Sequence, residues 1–577
     1  MNKISIKVVL FIMSFAMATN LYATDNRQYI LAVDDDNNIM NIMQTLYIDS
    51  GMALPSSSGP WSVAELNLML DQVKINKLNK KSREQYDFLK DQLSSYTRTV
   101  DNDINLSFSP EITYEAYSHI NTDYFTTRDS WNRGWDEQSP FFTLNFDFMA
   151  NDIAYSFVNL SIGSAEEKYS KDLMDFGSQS FATNVPFVDP NSAMTLNTDI
   201  SDRAFIAFGG DNWSAQVGRD QLSWGNGVSG NMMLSDNLEY QNMGRLTFFG
   251  KSFKYTYLVS FFPHQMNYVP TPIHTSQTDP LVGFSMFTAH RFEGRLFNNR
   301  LGWALSEGNM FASANGTVDM AAFNPLLSYH SLYYKANCNS IVSVDLDLTI
   351  GNMVNLYSQL VVDDLVFPIG ETKISTWSPD AYGFIFGVKF VNNEDYYKRL
   401  TSIEFAYTSP YLYLRSSGDT TTVQDGYGIN YIVALRKFTQ DGISFEKRFL
   451  GYEYGGDAIV FNIRDKMYET NRWSLETNLF LMCHGTFEMN TLWSPVGPAP
   501  RDEVTTPTST NYSDVTKNAP SFTSILGFNY TNKMVDHISA FGQIDFVSII
   551  NPDNVYDGTF ANSEFDIQLS VGITLKY

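Results

Sequence analysis

Charge and cysteine are what this 577-residue sequence has least of. Only 18% of its residues are charged, below the ~25% of an ordinary soluble chain. The shortage is mainly of basic residues, with 39 Lys plus Arg against 63 Asp plus Glu and a formal charge of -24. That balance excludes a generic nucleic-acid binder, which needs a basic surface to displace counterions from phosphates. Two cysteines, Cys338 and Cys483, exclude a disulfide-dense scaffold and a clustered zinc or redox motif. Seven histidines without an H-E-x-x-H or comparable spacing give no transition-metal centre. Neither a phosphate-binding loop nor a full EF-hand loop stands in the chain. Missing too is any apolar run of the ~20 residues that a membrane-spanning helix needs.

Aromatic residues are abundant instead: 43 Phe, 33 Tyr and 9 Trp make up 15% of the chain. Many aromatics with few charges suit strands that face lipid on one side and water on the other. The N-terminus points to export. Lys3 and Lys7 precede or interrupt the start of the apolar run Val8 to Met17, which leads to the small-residue ending Leu21, Tyr22, Ala23. This pattern predicts a cleavable secretory leader over residues 1–23, whose loss leaves a formal charge of -26.

Residues 24–97 read as a water-facing, periplasmic helical segment. Ile39, Ile42, Met43 and Leu46 recur at helical spacing before the turn-rich run Pro55 to Pro60. Ser62, with Glu65 at capping-box spacing, predicts the start of a helix over 62–74, and Ser82 predicts the cap of a second over 83–96. The basic stretch Lys74 to Arg83 joins them. Such short helices are marginal alone, so they are expected to dock, either as a plug or cap or as a plain packing element.

From residue 104 the dominant period becomes two. Val342, Val344, Leu346, Leu348 and Ile350 alternate with Ser343, Asp345, Asp347 and Thr349, and Phe565 to Tyr577 alternates throughout. Residues 142–148 and 253–261 do the same, with less regular strands at 384–390 and 473–483. A soluble β-sandwich also gives alternation, but the leader, the number of strands and the terminal aromatic favour a membrane barrel. Open edges in lipid would leave backbone groups unpaired, so the sheet must close. Residues 98–577 therefore predict an all-β, transmembrane outer-membrane antiparallel barrel; roughly 470 residues at about 25 per strand and loop give about 18 strands. Long loops are expected at 494–521, 268–278, 369–380 and 416–426, on the extracellular side.

Two clusters supply candidate ligand-binding or lumenal-network residues. In Gly218 to Gly227, Arg219 and Asp220 read as opposite charges near a strand end, and the glycines around Asn226 predict a tight turn. Trp224 belongs either to a lumenal wall or to a carbohydrate subsite. In the second cluster Arg291, Glu293 and Arg295 share one strand face, a lumenal row of paired charges opposite His290 and Phe292. Glu307, Asn324, Tyr329, His330, Gln359 and Asp363 complete the set. Asp363 and Asp364 point to opposite faces of a strand, a poor carboxylate dyad for glycoside hydrolysis. No catalytic residue, cofactor or dedicated metal site is assigned; calcium at loop carboxylates stays open.

These residues also carry a resemblance. The runs GRDQLSWGNGVSGNMMLSDN at 218–237, AHRFEGRL at 289–296, LGWALSEG at 301–308, FNPLLSYH at 323–330 and LYSQLVVDDL at 356–365 resemble successive motifs of the Wzi-like capsule-assembly outer-membrane proteins. The first motif usually reads Trp-Gly-Pro-Gly in that family, and Asn226 replaces the proline here. The resemblance implies an 18-stranded monomeric barrel with a periplasmic helical element. It also implies a surface lectin role, as in the enterobacterial representative, which attaches capsular polysaccharide. The functions that remain are non-enzymatic binding, assembly or retention of surface polysaccharide; a channel; or a structural subunit of an envelope assembly or secretion complex. The expected partners are outer-membrane lipid and lipopolysaccharide, a surface polysaccharide and an envelope protein complex, with no nucleic acid.

Overall fold

The period-two segments become 18 long antiparallel strands in a computed structural model of the chain. It describes residues 28–29, 39–96, 104–121, 124–125, 139–150, 154–162, 181–185, 203–264, 283–313, 316–318, 320–325, 338–364, 380–394, 396–414, 429–439, 442–487, 489, 520–554 and 562–576. In chain order the strands are β1 Ile104–His119, β2 Phe142–Ala150, β3 Ala154–Ile162, β4 Ala204–Gly210, β5 Trp213–Asp220, β6 Gln241–Phe249, β7 Phe253–Pro263, β8 Phe284–Leu296 and β9 Leu301–Ser313. The second half is β10 Cys338–Ile350, β11 Val354–Asp364, β12 Ala381–Asn393, β13 Lys398–Thr408, β14 Ala458–Glu469, β15 Trp473–His484, β16 Ser521–Val535, β17 Ile538–Ile550 and β18 Ser563–Lys576.

Each strand pairs with its sequence neighbours, and β18 returns to β1, with Lys576 opposite Glu111 and Gln568 opposite His119. An up-and-down sheet closes antiparallel only when its strand number is even, and closure leaves no edge unpaired. The short strand Phe181–Thr183 lies beside the later part of β1, opposite Ala116 to Ser118. Connections alternate between tight turns of two to four residues at one end and longer segments at the other.

Side-chain alternation sets the two faces of the wall. On β10, Leu346 and Ile350 are 46% and 53% exposed, whereas Asp345 and Asp347 are buried in the lumen. On β18, Phe565, Leu569, Val571 and Ile573 face outward and Asp566, Gln568 and Ser570 inward. Among the described residues no helix is long and apolar enough to cross a membrane, so the crossing elements are strands.

Among the described residues three α-helices precede the barrel: α1 Ile39–Asp49, α2 Val63–Leu70 and α3 Lys80–Tyr96. They share an apolar core that includes Met43, Leu46, Trp61, Leu66, Leu89 and Leu93. Ser62 caps α2 by accepting the Glu65 N–H at 3.2 Å. The reciprocal half of the capping box is replaced, because the Glu65 carboxylate pairs with Lys254 at 2.7 Å. Ser82 is not the cap of α3: Asn79 accepts the Ser82 N–H at 2.8 Å, and the helix begins at Lys80. Asn79 wins because its acceptor lies one residue before the helix, where the first turn leaves N–H groups unpaired. Residues 1–23, the expected leader, lie outside the described residues, as do the expected loops apart from Asp380, Pro520 and Ser521.

Candidate functional site

The lumen is occupied from both ends by the chain itself. At the short-turn end α1 is pinned by Asp49, whose carboxylate accepts from Lys398 at 2.6 Å, Ser82 at 2.6 Å and Asn393 at 3.0 Å. Lys389 on β12 donates to Gln44 at 2.9 Å. Between α1 and α2 the chain runs along β8 to β10: Thr349 donates to Met52 O at 2.6 Å, Leu54 N–H to Asp347 at 2.7 Å and Arg295 to Leu54 O at 2.7 Å. Burial raises the Tyr47 phenol to about 12, and its hydroxyl donates to Met69 O at 2.9 Å.

Mid-lumen, the turn-rich run meets a charged cluster. Lys254 donates to Ser56 Oγ at 3.0 Å and Ser58 O at 2.7 Å while pairing with Glu65. Burial pushes the Glu65 carboxyl above its usual range, against the pull of Lys254. Arg291 is the hub. Its guanidinium donates to Glu293 at 3.0 Å, Ser306 at 3.0 Å and Ser57 at 2.8 Å, and it is also paired with Asp345. Ser58 Oγ donates to Glu293. A buried charge is tolerable only when it is compensated, and each of these charges has an opposite charge beside it, supplied by the N-terminal segment and the strands β7, β8 and β10.

From the other end, residues 221–240, 409–414, 429–439 and 442–457 fold inward. They form an apolar core with lumenal wall residues such as Leu258, Phe287, Met310, Ile385 and Val460. Trp224 sits inside this core with no exposed surface. It bridges in β fashion to both Ser58 and Leu234, so the two inward-folded parts meet there; Gly225 N–H donates to Ser57 O at 3.0 Å. The turn after Trp224 needs glycine: Gly225 has φ +140°, and a Cβ would collide with the Asn231 side chain. Asn231 Oδ1 accepts the Gly227 N–H at 3.0 Å. Gln359 clamps the segment, donating to Trp224 O at 2.9 Å and accepting the Met232 N–H at 2.6 Å. Glu404 accepts the N–H groups of Val228 at 2.7 Å and Ser229 at 2.8 Å and the Tyr357 hydroxyl at 2.7 Å.

The expected residues therefore divide. Arg291, Glu293, Arg295, Gln359 and Trp224 lie together in the lumen, and Asn226 borders the small cavity beside the charged layer. Asp363 lies higher, accepting from Asn339 at 2.8 Å and from the Tyr413 N–H at 3.2 Å. Arg219 and Asp220 do not pair, since neighbours on a strand point to opposite faces. Asp220 turns inward to Arg203 at 2.8 Å and Gln216 at 2.7 Å; Arg219 lies over the Tyr240 ring at 3.7 Å. Glu307 is on the outward face of β9 with Leu305, 3.1 Å from His290, and Asn324 is exposed. Both stand apart from the lumenal group. Tyr329 and His330 lie outside the described residues. With Trp224 wholly enclosed, an open sugar-stacking role for that ring is corrected to a packing one.

Sequence reasoning missed Lys254, Glu65, Glu404 and Asp49. Lys254 and Glu404 occupy polar positions of amphipathic strands, a signal for the lumenal face but not for a partner. Glu65 reads as a capping residue, and its ionic partner is 189 positions away in sequence.

No protein-family model matches the chain, and no curated relative matches it. Among solved structures, Wzi of Escherichia coli is described as an outer-membrane protein involved in group 1 capsule assembly and a carbohydrate-binding β-barrel. It superposes with a TM-score of 0.55 at 13% identity, covering 96% of this chain and 99% of that one. The outer-membrane channel DcaP of Acinetobacter baumannii gives 0.33 at 8% identity over 83% of this chain and 99% of that one. OccK11 of Pseudomonas aeruginosa gives 0.36 at 8% over 82% and 96%. At 13% identity the match to Wzi is a likeness of fold, and the fold of this chain is the closed 18-stranded β-barrel of outer-membrane proteins.

Proposed function

We propose that this chain is a non-enzymatic outer-membrane protein that retains surface polysaccharide, with its helices on the periplasmic side and its longer connections outside. The observation that carries this reading is that the chain itself occupies much of the lumen. A diffusion channel needs a polar, water-filled bore, whereas here the bore holds a helical unit, a paired-charge layer and an apolar core. Solute transport is then disfavoured, and the end with the longer connections is the surface left for work. The fold likeness to Wzi, itself named as a carbohydrate-binding barrel, and the five ordered motifs support the same reading. The buried Trp224, Gln359 and Glu404 act in it as a scaffold that sets the loop bases, while glycan contacts come from the outer connections.

The test is glycan retention on cells. Shortening residues 494–519 or 416–426 is expected to shift polysaccharide from the cell-bound fraction to the medium while the barrel stays folded in the outer membrane. Unchanged retention in both shortened, folded proteins would overturn the proposal.

A further inference from the structure

A second cavity lies at the short-turn end of the barrel, between α3 and the turns that follow β12 and β14. It measures about 220 Å³, below the range of ~300–1,000 Å³ usual for drug-sized ligands and suited to a single ring. Phe88, Tyr396 and Tyr397 line it together with Glu84, Thr470 and Asn471. Tyr396 is 82% exposed, the most exposed of the large hydrophobic side chains among the described residues. Tyrosine at a barrel end is often an interfacial lipid anchor; this one lines a cavity together with Phe88 of α3.

The charges around the cavity are already neutralised. Lys81 pairs with Glu84 at 3.3 Å, Lys398 with Asp49 at 2.6 Å and Glu469 with Arg472 at 3.1 Å. An anionic or cationic ligand finds no surplus of the opposite sign. The floor is rigid, because the Gln85 amide donates to the Tyr468 hydroxyl at 3.2 Å and to Thr470 Oγ1 at 3.1 Å. A fixed floor keeps the ordering cost of binding low. Flat aromatic faces beside hydroxyl, carboxylate and amide groups match a molecule with an apolar C–H face and a rim of hydroxyls.

We propose that this cavity is a saccharide site that takes one neutral pyranose ring of a glycan on the short-turn side of the barrel. It is separate from the polysaccharide surface proposed above. The full-length protein in detergent is mixed with maltotetraose or chitotetraose, and saturation transfer from protein to sugar ring protons is read by NMR. Transfer to at least one tetrasaccharide is expected, with affinity weakened about fivefold or more in Tyr396→Ala, as losing a ring contact worth ~1 kcal/mol implies. The cavity-filling Thr470→Trp is expected to abolish it. Tyr396 is exposed enough for its variant to fold, which heat-modifiable gel mobility checks. No transfer from either sugar in the wild type, or undiminished transfer in Tyr396→Ala, overturns the proposal. A signal that vanishes on shortening residues 494–519 but survives Tyr396→Ala belongs to the outer connections. It would sink this site while leaving the retention reading intact.

Discussion

Arg291 shows how much one side chain can organise in a filled barrel. It is buried, and four partners converge on its guanidinium, two of them carboxylates. Replacing it by alanine removes the cation paired with two buried carboxylates, Glu293 and Asp345, a loss of about 3–5 kcal/mol for a buried pair broken from one side. We expect Arg291→Ala to lower clearly the temperature at which the barrel loses its compact gel mobility. Arg219→Ala, on the opposite face of its strand, is expected to change it little. Equal midpoints for the two variants would show that the lumenal network contributes no special stability. Gly225→Ala tests the backbone in the same assay: the new Cβ meets Asn231 in a conformation that L side chains rarely adopt, so a loss of more than 1 kcal/mol is expected.

The helical element is held less by its own propensity than by the wall. Helices this short are marginal in isolation, and α2 has Glu65 tied to Lys254 across the lumen. In Lys254→Ala, Glu65 and Glu293 lose their shared cation, so the helices should loosen. Limited trypsin digestion of the folded protein is expected to cut faster within residues 39–96 than in the wild type, with the strands still protected. An unchanged cleavage rate would mean that the apolar core of the helices holds them without the ion pair. The first helix was legible from Ile39, Ile42, Met43 and Leu46 at helical spacing, and the starts of the other two nearly so. Asn79 displaced Ser82 as a cap because capping depends on where the first free N–H groups lie, a local geometry that two nearby cap-forming residues leave undecided.

At the scale of the whole molecule the barrel is a wall around its own contents. Planar-bilayer recordings of the wild type are expected to show no stable conductance. Deleting residues 39–96 removes only the lower filling, and the apolar core that includes Leu222, Trp224, Tyr413 and Tyr452 remains. That deletion combined with Glu404→Ala, which frees the Val228 and Ser229 N–H groups, is expected to give channels where the single variants give few or none. Steady wild-type conductance would count directly against the filled lumen and against the retention function built on it.

The strands, their two faces and the need for closure followed from the sequence alone, because the side-chain period of a strand is a local property and lipid forbids an open edge. The row Arg291, Glu293, Arg295 was legible for the same reason. Which charges meet was decided only by the tertiary structure. Lys254 with Glu65, Gln359 with Trp224 and Glu404 with Val228 are joined across long separations, and period two says which face a residue takes but not what the chain folds against that face. The same limit explains Trp224. Its neighbours Gly225 and Gly227 announced a turn, but whether that turn stood in water or inside the barrel depended on Tyr413, Tyr431, Tyr452 and the N-terminal segment closing around it, a packing outcome that no local pattern encodes.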